Sequence, residues 1–201
     1  MTIEILAADR FTIQELTELY NQTRVDYLVP MPMNSARKNE DVHDCVIDLQ
    51  HTCAARYTER QTRGLCMLGF RQGVAWITRL GVLPSIRRTG AGSALMDSML
   101  RNAEALGAQE IHLEVIKNNE PAYNLFLKTG FVETGTYLVM RHAPRRLLDP
   151  LQGTATWLEY EQALEKLGGY PNHITWINAC ASMRNSPNTE GLLVELPDGG
   201  S

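Results

Sequence analysis

Two arginines followed closely by two glycines, Arg87-Arg88-Thr89-Gly90-Ala91-Gly92-Ser93, have the types and spacing to hold a pyrophosphate. Gly90 and Gly92 permit a tight backbone turn that brings consecutive N–H groups close to one anion. The guanidinium groups place charge where phosphate oxygens would lie. For this to work, the run must link a strand to a helix, because a helix N-terminus presents unpaired amides and the positive end of its dipole. The flanking sequence supplies both elements. Residues 75–82 are an apolar, strand-like run, and Leu95, Met96, Met99 and Ala103 line the apolar side of a helix over 91–106, stopped by Gly107. A dinucleotide fingerprint is excluded, since Leu95 stands at the third glycine position and no acid lies at the ribose distance. A P-loop is excluded because no Gly-Lys-Ser/Thr follows at the required spacing.

Further along, Ile111, Leu113 and Val115 alternate as a strand over 110–117. Asn119 then caps a short helix with Pro121 in its first turn, carrying Ala122, Leu125 and Phe126 and ending at Gly130-Phe131. The pattern Arg87-x-x-Gly90-x-Gly92 resembles the acyl-CoA loop of the GCN5-related N-acetyltransferases (the GNAT superfamily). The stretch Leu113-Glu-Val-x-x-x-Asn119-x-x-Ala122-x-x-Leu125-Phe126-x-x-x-Gly130-Phe131 resembles the second signature of the same family. The resemblance is specific over residues 64–142 and looser over 1–63. It implies an α/β (α+β) fold: a mixed, mostly antiparallel sheet flanked by helices and splayed between its fourth and fifth strands.

The resemblance also implies a chemistry, in which an amine attacks the thioester of acetyl-CoA, the co-substrate, directly. Backbone N–H groups around Leu80, Gly81 and Val82 would position the pantetheine and polarise the carbonyl. Arg87, Arg88, Thr89, Gly90, Ala91, Gly92 and Ser93 would hold the pyrophosphate. Asn119 would face the pantetheine or an ordered water. Family members often carry a tyrosine where this chain has Phe126, as the acid that protonates the departing thiolate. Phe126 keeps the cofactor contact but not the proton, so Tyr123, one helical turn earlier, takes the acid role. A thiol pKa of about 8.5 also lets the thiolate leave near neutral pH without an acid. Glu114 and His112 share a strand face near the splay, and either is placed to relay a proton through water, Glu114 being the one taken as the candidate base.

The bulk properties bound these readings. Lys+Arg 19 against Asp+Glu 23 gives a net charge of −4, which argues against a nucleic-acid or anionic-membrane partner. The positive charge gathers around Arg79, Arg87 and Arg88, as a small phosphate site requires. The N-terminus has no basic n-region followed by an apolar stretch, and a cytoplasmic location is the expectation. Cys45, Cys53, Cys66 and Cys180 are expected as free thiols. His43-x-Cys45 and His51-x-Cys53 lack close metal-ligand spacing on one hairpin, so no metal is expected.

The remaining elements complete the frame. Residues 3–7 read as a strand, and Thr12-x-x-Glu15 is a capping box opening an amphipathic helix with Leu16, Leu19 and Tyr20. The apolar, proline-broken loop 27–33 would rim an acceptor pocket, by similarity to the family. A second helix is expected over 35–45, and strands over 48–57, 64–71 and 74–82. A last strand would run from Phe131 to His142. The domain assignment is 1–142 for the acyl-CoA-binding domain and 143–201 for a C-terminal extension. Within it, 143–151 reads as a linker, 156–167 as a helix and 190–196 as a strand. The turn at 197–200 should lead to a partner strand beyond the chain, so the extension is read as an incomplete second half. The leading function is an N-acetyltransferase acting on a small-molecule or peptide amine, with a homodimer reasonable from exposed sheet edges. The alternative is a module of the same fold that binds acyl-CoA without turnover.

Overall fold

Thr12 opens the first helix as its capping box dictates: the Glu15 N–H donates to Thr12 Oγ1 (3.2 Å) and the Thr12 N–H to Glu15 Oε2 (2.8 Å). The computed structural model describes residues 3–57, 61–139, 153–168, 175–186, 190–195 and 197. The chain divides into two units, residues 1–132 and 133–201.

In the first unit a five-stranded sheet has the order β1-β2-β3-β4-β5, with β1 Ile3–Ala7, β2 Cys53–Tyr57, β3 Thr62–Arg71, β4 Val74–Val82 and β5 Glu110–His112. The first four strands are antiparallel, and β5 runs parallel to β4. The helices are α1 Ile13–Gln22, α2 Ser35–Asp44, α3 Ala91–Ala105 and α4 Glu120–Lys128. Alternation along the strands divides two packing faces. Cys66 and Leu68 of β3, with Ala75 and Ile77 of β4, pack with Leu95, Met96, Met99 and Ala103 of α3. Met67 and Trp76 lie between them in sequence and so face the other way, toward α1 and α2.

Three expectations over residues 1–142 need correction. The strand expected over 48–57 begins only at Cys53, because Asp48 Oδ1 accepts from the Gln50 and His51 N–H groups and holds 48–52 in a turn. The fifth strand stops at His112, although Leu113 and Val115 still pack on the α3 core. Residues 132–139 form no strand. Val132, Leu138 and Val139 are all more than three-quarters exposed, with no neighbouring strand among the described residues to offer ladder partners. The rest of that expected strand, 140–142, and the linker over 143–151 lie outside the described residues.

The second unit pairs β6 Thr154–Leu158 with β7 Gly191–Glu195, antiparallel, from Thr154↔Glu195 to Leu158↔Gly191. It also holds α5 Tyr160–Gly168 and the short α6 Cys180–Met183. The helix expected from 156 therefore starts at Tyr160, since 154–158 is a β-favouring Thr-Ala-Thr-Trp-Leu run taken into the sheet. β7 is the expected strand, and it pairs with β6 upstream. Gly191 is buried against α5, where an added Cβ would sit 2.4 Å from that of Ala163. The Tyr160 hydroxyl donates to the Met183 carbonyl, and Ser182 Oγ to that of Trp176 (2.6 Å). Among the described residues no helix is long and apolar enough to cross a membrane.

Candidate active site

The glycine loop adopts the geometry its sequence requires. Gly90 is the N-cap of α3 with φ 93°, a left-handed conformation that an L side chain resists. The first bond of the helix is from the Ala94 N–H to the Gly90 carbonyl (2.9 Å). The N–H groups of Ala91, Gly92 and Ser93 precede it and have no intrahelical acceptor. Arg88, Thr89, Gly90 and Ser93 are exposed around them. Gly92 lies close to α4, its ideal Cβ position being 3.3 Å from Leu125 Cδ2. Arg87 is otherwise engaged: its guanidinium closes on Asp26 at 2.6 and 2.7 Å and also donates to the Thr23 carbonyl (3.3 Å). That bond with Asp26 raises the pKa of Arg87 and lowers that of Asp26.

Beside the loop, β4 offers an open edge. Its ladder with β5 ends at Trp76↔His112, while β4 continues to Val82. From Ile77 to Val82 the side of β4 toward β5 has no strand among the described residues, which is the splay between fourth and fifth strands. A bulge interrupts the pairing with β3 between Leu65↔Gly81 and Met67↔Thr78, setting Arg79 and Leu80 opposite Cys66 alone. Arg79 sits there at φ 56°. A bulge twists the strand and leaves a residue unpaired, so Arg79 and Leu80 sit on irregular backbone, and the ladder with β3 resumes at Gly81 and Val82. Gly81 meets the end of α1: an added Cβ would lie 2.5 Å from Thr23 Oγ1.

The other expected residues surround the splay. Glu114 accepts from the buried Trp76 indole N–H (2.7 Å), tying the chain leaving β5 back to β4. His112 faces Glu110 instead (2.9 Å), on the surface. Asn119 holds the N-cap position of α4 without a side-chain capping bond, correcting the expectation that it caps the helix. Its amide is therefore not consumed locally. Tyr123 is half-buried one turn into α4. Phe126 is 8% exposed, packed edge-to-face on Phe131 (centroids 6.2 Å apart) within the α3 core. Its ring anchors α4 to the core.

Arg79 does not reinforce the loop, as its charge had been expected to do. It pairs with Asp41 of α2 at 2.6 and 3.2 Å, both side chains being largely buried. Burial pulls Arg79 down, and the Asp41 bond and charge outweigh it, leaving its pKa raised. Around this pair lie Tyr20 and Lys38, both 0% exposed, and the half-buried Arg24. Burial lowers Lys38 to about 8, with Asp41 opposing and Arg79 and Arg24 adding to the effect. Burial likewise pushes the Cys45 thiol up to about 12. Sequence reasoning missed this cluster; its visible trace was a lone arginine inside the apolar run 74–82. Among the described residues no three His, Cys, Asp or Glu side chains converge as metal ligands.

A glycine-turned helix N-terminus beside a splayed mixed sheet is the architecture that the family resemblance implied. The chain belongs to the acetyltransferase (GNAT) family, whose model matches residues 13–131. A similar relative is an N-alpha-acetyltransferase of Sulfurisphaera tokodaii, 42% identical over 67 residues, 33% of this chain and 38% of that protein. An uncharacterized N-acetyltransferase of Mycobacterium bovis is 38% identical over 60 residues, 30% of this chain and 38% of that protein. The matched stretch thus spans little more than a third of these relatives. Among solved structures, Ard1 from Thermoplasma volcanium has a TM-score of 0.56 at 20% identity, over 67% of this chain and 86% of that one. An AAC(6')-Iy complex with a CoA-linked bisubstrate analogue has a TM-score of 0.51 at 17% identity, over 72% of this chain and 100% of that one. These structures share the fold.

Proposed function

We propose that the chain is an acetyl-CoA-dependent N-acetyltransferase, passing the acetyl group to a primary amine of a small molecule or peptide. The observation that carries this reading is the pairing of unbonded amides at Ala91, Gly92 and Ser93 with the open edge of β4. The first suits a pyrophosphate and the second an extended pantetheine arm. In this reading Leu80, Gly81 and Val82 lie along the arm. Arg88 and Thr89 flank the phosphates, Arg87 joins them on leaving Asp26, and the Asn119 amide faces the arm or a water.

The amine nitrogen attacks the thioester carbon, the C–S bond breaks and CoA leaves as its thiolate. The ammonium proton passes through water to Glu114, whose second carboxylate oxygen remains beside the one held by Trp76. Tyr123 supplies a proton to the thiolate. The chemistry is assigned to residues 1–142. The relative's name, N-alpha-acetyltransferase, and the bisubstrate complex of a structural neighbour support the transfer of acetyl to an amine. Calorimetry tests the first half. Wild type should bind acetyl-CoA, and Gly90→Glu, which sets a carboxylate in the anion site, should weaken it at least about 30-fold. Absence of binding by wild type overturns the reading.

Two observations favour a second reading, a non-catalytic acyl-CoA-binding module: Phe126 stands where an acid would, and Glu114 is tied to an indole. A chain that binds acetyl-CoA but releases no CoA thiol across a broad amine panel would fit that reading instead.

A further inference from the structure

The face of β3 and β4 that packs on α1 and α2 gathers three cations around Tyr20 with one carboxylate among them. Arg79 takes that carboxylate, Asp41, bidentately. Among the described residues Arg24 donates only to neutral oxygens, Thr23 Oγ1 (3.1 Å) and the Leu80 carbonyl (3.5 Å). Its guanidinium lies 4.0 Å from the Tyr20 ring centroid and 5.5 Å from that of Tyr27. The Lys38 ammonium donates to a thioether, Met67 Sδ at 2.8 Å, lies 4.9 Å from the Tyr20 ring, and feels the Asp41 charge already paired with Arg79. The Tyr20 hydroxyl is buried without a hydrogen-bond partner among the described residues.

Among the described residues donors therefore exceed acceptors in a cluster whose inner members, Tyr20 and Lys38, are closed to water and whose outer member, Arg24, is half-buried. A buried cation without a counter-ion is costly, and an unsatisfied buried hydroxyl calls for a missing partner. The aromatic faces of Tyr20 and Tyr27 recover part of that cost but accept no hydrogen bond along a guanidinium edge. Arg24 is the half-buried member, the one a ligand can reach. Its bond to the Leu80 carbonyl fixes it on β4 beyond the last β4–β5 pair, where the proposed reaction brings amine and thioester together.

We propose that this cluster seats a carboxylate carried by the acceptor beside its reacting amine, as in a free amino acid. Arg24 is the direct partner, and Lys38 and the Tyr20 hydroxyl lie behind it. Guanidinium geometry suits a planar carboxylate taken edge-on. The inference rests on the acetyltransferase reading for the identity of the ligand, though not for the presence of the anion site.

The test has two arms that separate these dependences. In the first, thermal unfolding of the full chain is followed in sodium acetate and in sodium chloride at equal ionic strength. Acetate should raise the melting temperature by about 2–4 °C more than chloride in wild type, and by no more than chloride in Arg24→Gln. Lys38→Met, which keeps the buried volume, should also lose the acetate response. In the second arm, CoA thiol release is compared for amino acids and their C-terminal amides. The free acids should show kcat/KM at least about tenfold higher, with the preference falling below about threefold in Arg24→Gln. Equal responses to acetate and chloride, or equal use of acids and amides, overturn the proposal. If no acceptor turns over, the acetate arm decides. Failure of the chain to bind acetyl-CoA would instead overturn the enzymatic reading and leave the anion site to that same arm.

Discussion

At the scale of single residues, Lys38 is a cation buried to 0% exposure, and its charge weighs against folding. Its ammonium ionises near pH 8 when folded against 10.5 ordinarily, chiefly because burial removes its hydration. Between those values the unfolded chain binds the proton that the native chain has released, so stability rises with pH. Below about pH 8 the cost is fully present, on the order of 3 kcal/mol. Asp41 reduces it, while Arg24 and Arg79 increase it. Cys45 works in the opposite direction above pH 9, because its native thiol keeps a proton that the unfolded thiol loses. Lys38→Met should stabilise the chain by about 1–3 kcal/mol at pH 7 without added anion. The wild-type-minus-variant difference should shrink on going to pH 9, as read from urea midpoints. Glu114 allows a second test. Glu114→Gln keeps an acceptor for the Trp76 indole, so stability should change by less than about 1 kcal/mol. A base at that position requires kcat to fall at least about tenfold in the same variant.

At the scale of elements, the close approach of α1 to β4 depends on Gly81. Gly81→Ala places a Cβ into Thr23, and α1 must shift or the bulge must flatten. A loss of about 1–3 kcal/mol in denaturant unfolding is expected. The elements that sequence reasoning recovered are those fixed by local chemistry. Thr12 with Glu15 starts α1, and Gly90 with the Leu95, Met96 and Met99 stripe starts and orients α3. Errors arose where a partner distant in sequence decides. Ile111, Leu113 and Val115 alternate and all pack on the α3 core, yet only the first lies in β5. Alternation reports burial; a ladder also needs a neighbour, and β4 stops being one at Trp76. Residues 154–158 joined a sheet with 191–195, a pairing invisible to any short window. The loop was legible because backbone conformation is written in glycines. The cation cluster was hidden because Arg24, Lys38, Asp41 and Arg79 meet only after β4 has paired and α1 and α2 have docked on it.

At the scale of the whole molecule, the chain divides into two units, each with buried side chains of its own. The first is built around α3 and its sheet; the second buries Leu164 of α5 and Trp176. If acyl-CoA is held wholly by the first, its binding energy is confined there. At a hundredfold excess over Kd the ligand adds about 2.7 kcal/mol to the stability of the unit it binds. Hydrogen exchange should then show added protection in the slowest amides of β3, β4 and α3, and none in β6, β7 or α5. Equal protection in both units would move the binding assignment beyond residues 1–142.

The grip of Arg87 on Asp26 has a kinetic corollary. One guanidinium edge cannot close on two anions at once, so a pyrophosphate that takes Arg87 must free Asp26 and the Thr23 carbonyl together. The stretch following α1 is untied at that moment, immediately beside Arg24. Substrates would then be admitted in a compulsory order, thioester first and amine second. A dead-end analogue of the amine should inhibit uncompetitively against acetyl-CoA, and Asp26→Asn, which weakens the tether in advance, should turn that pattern noncompetitive.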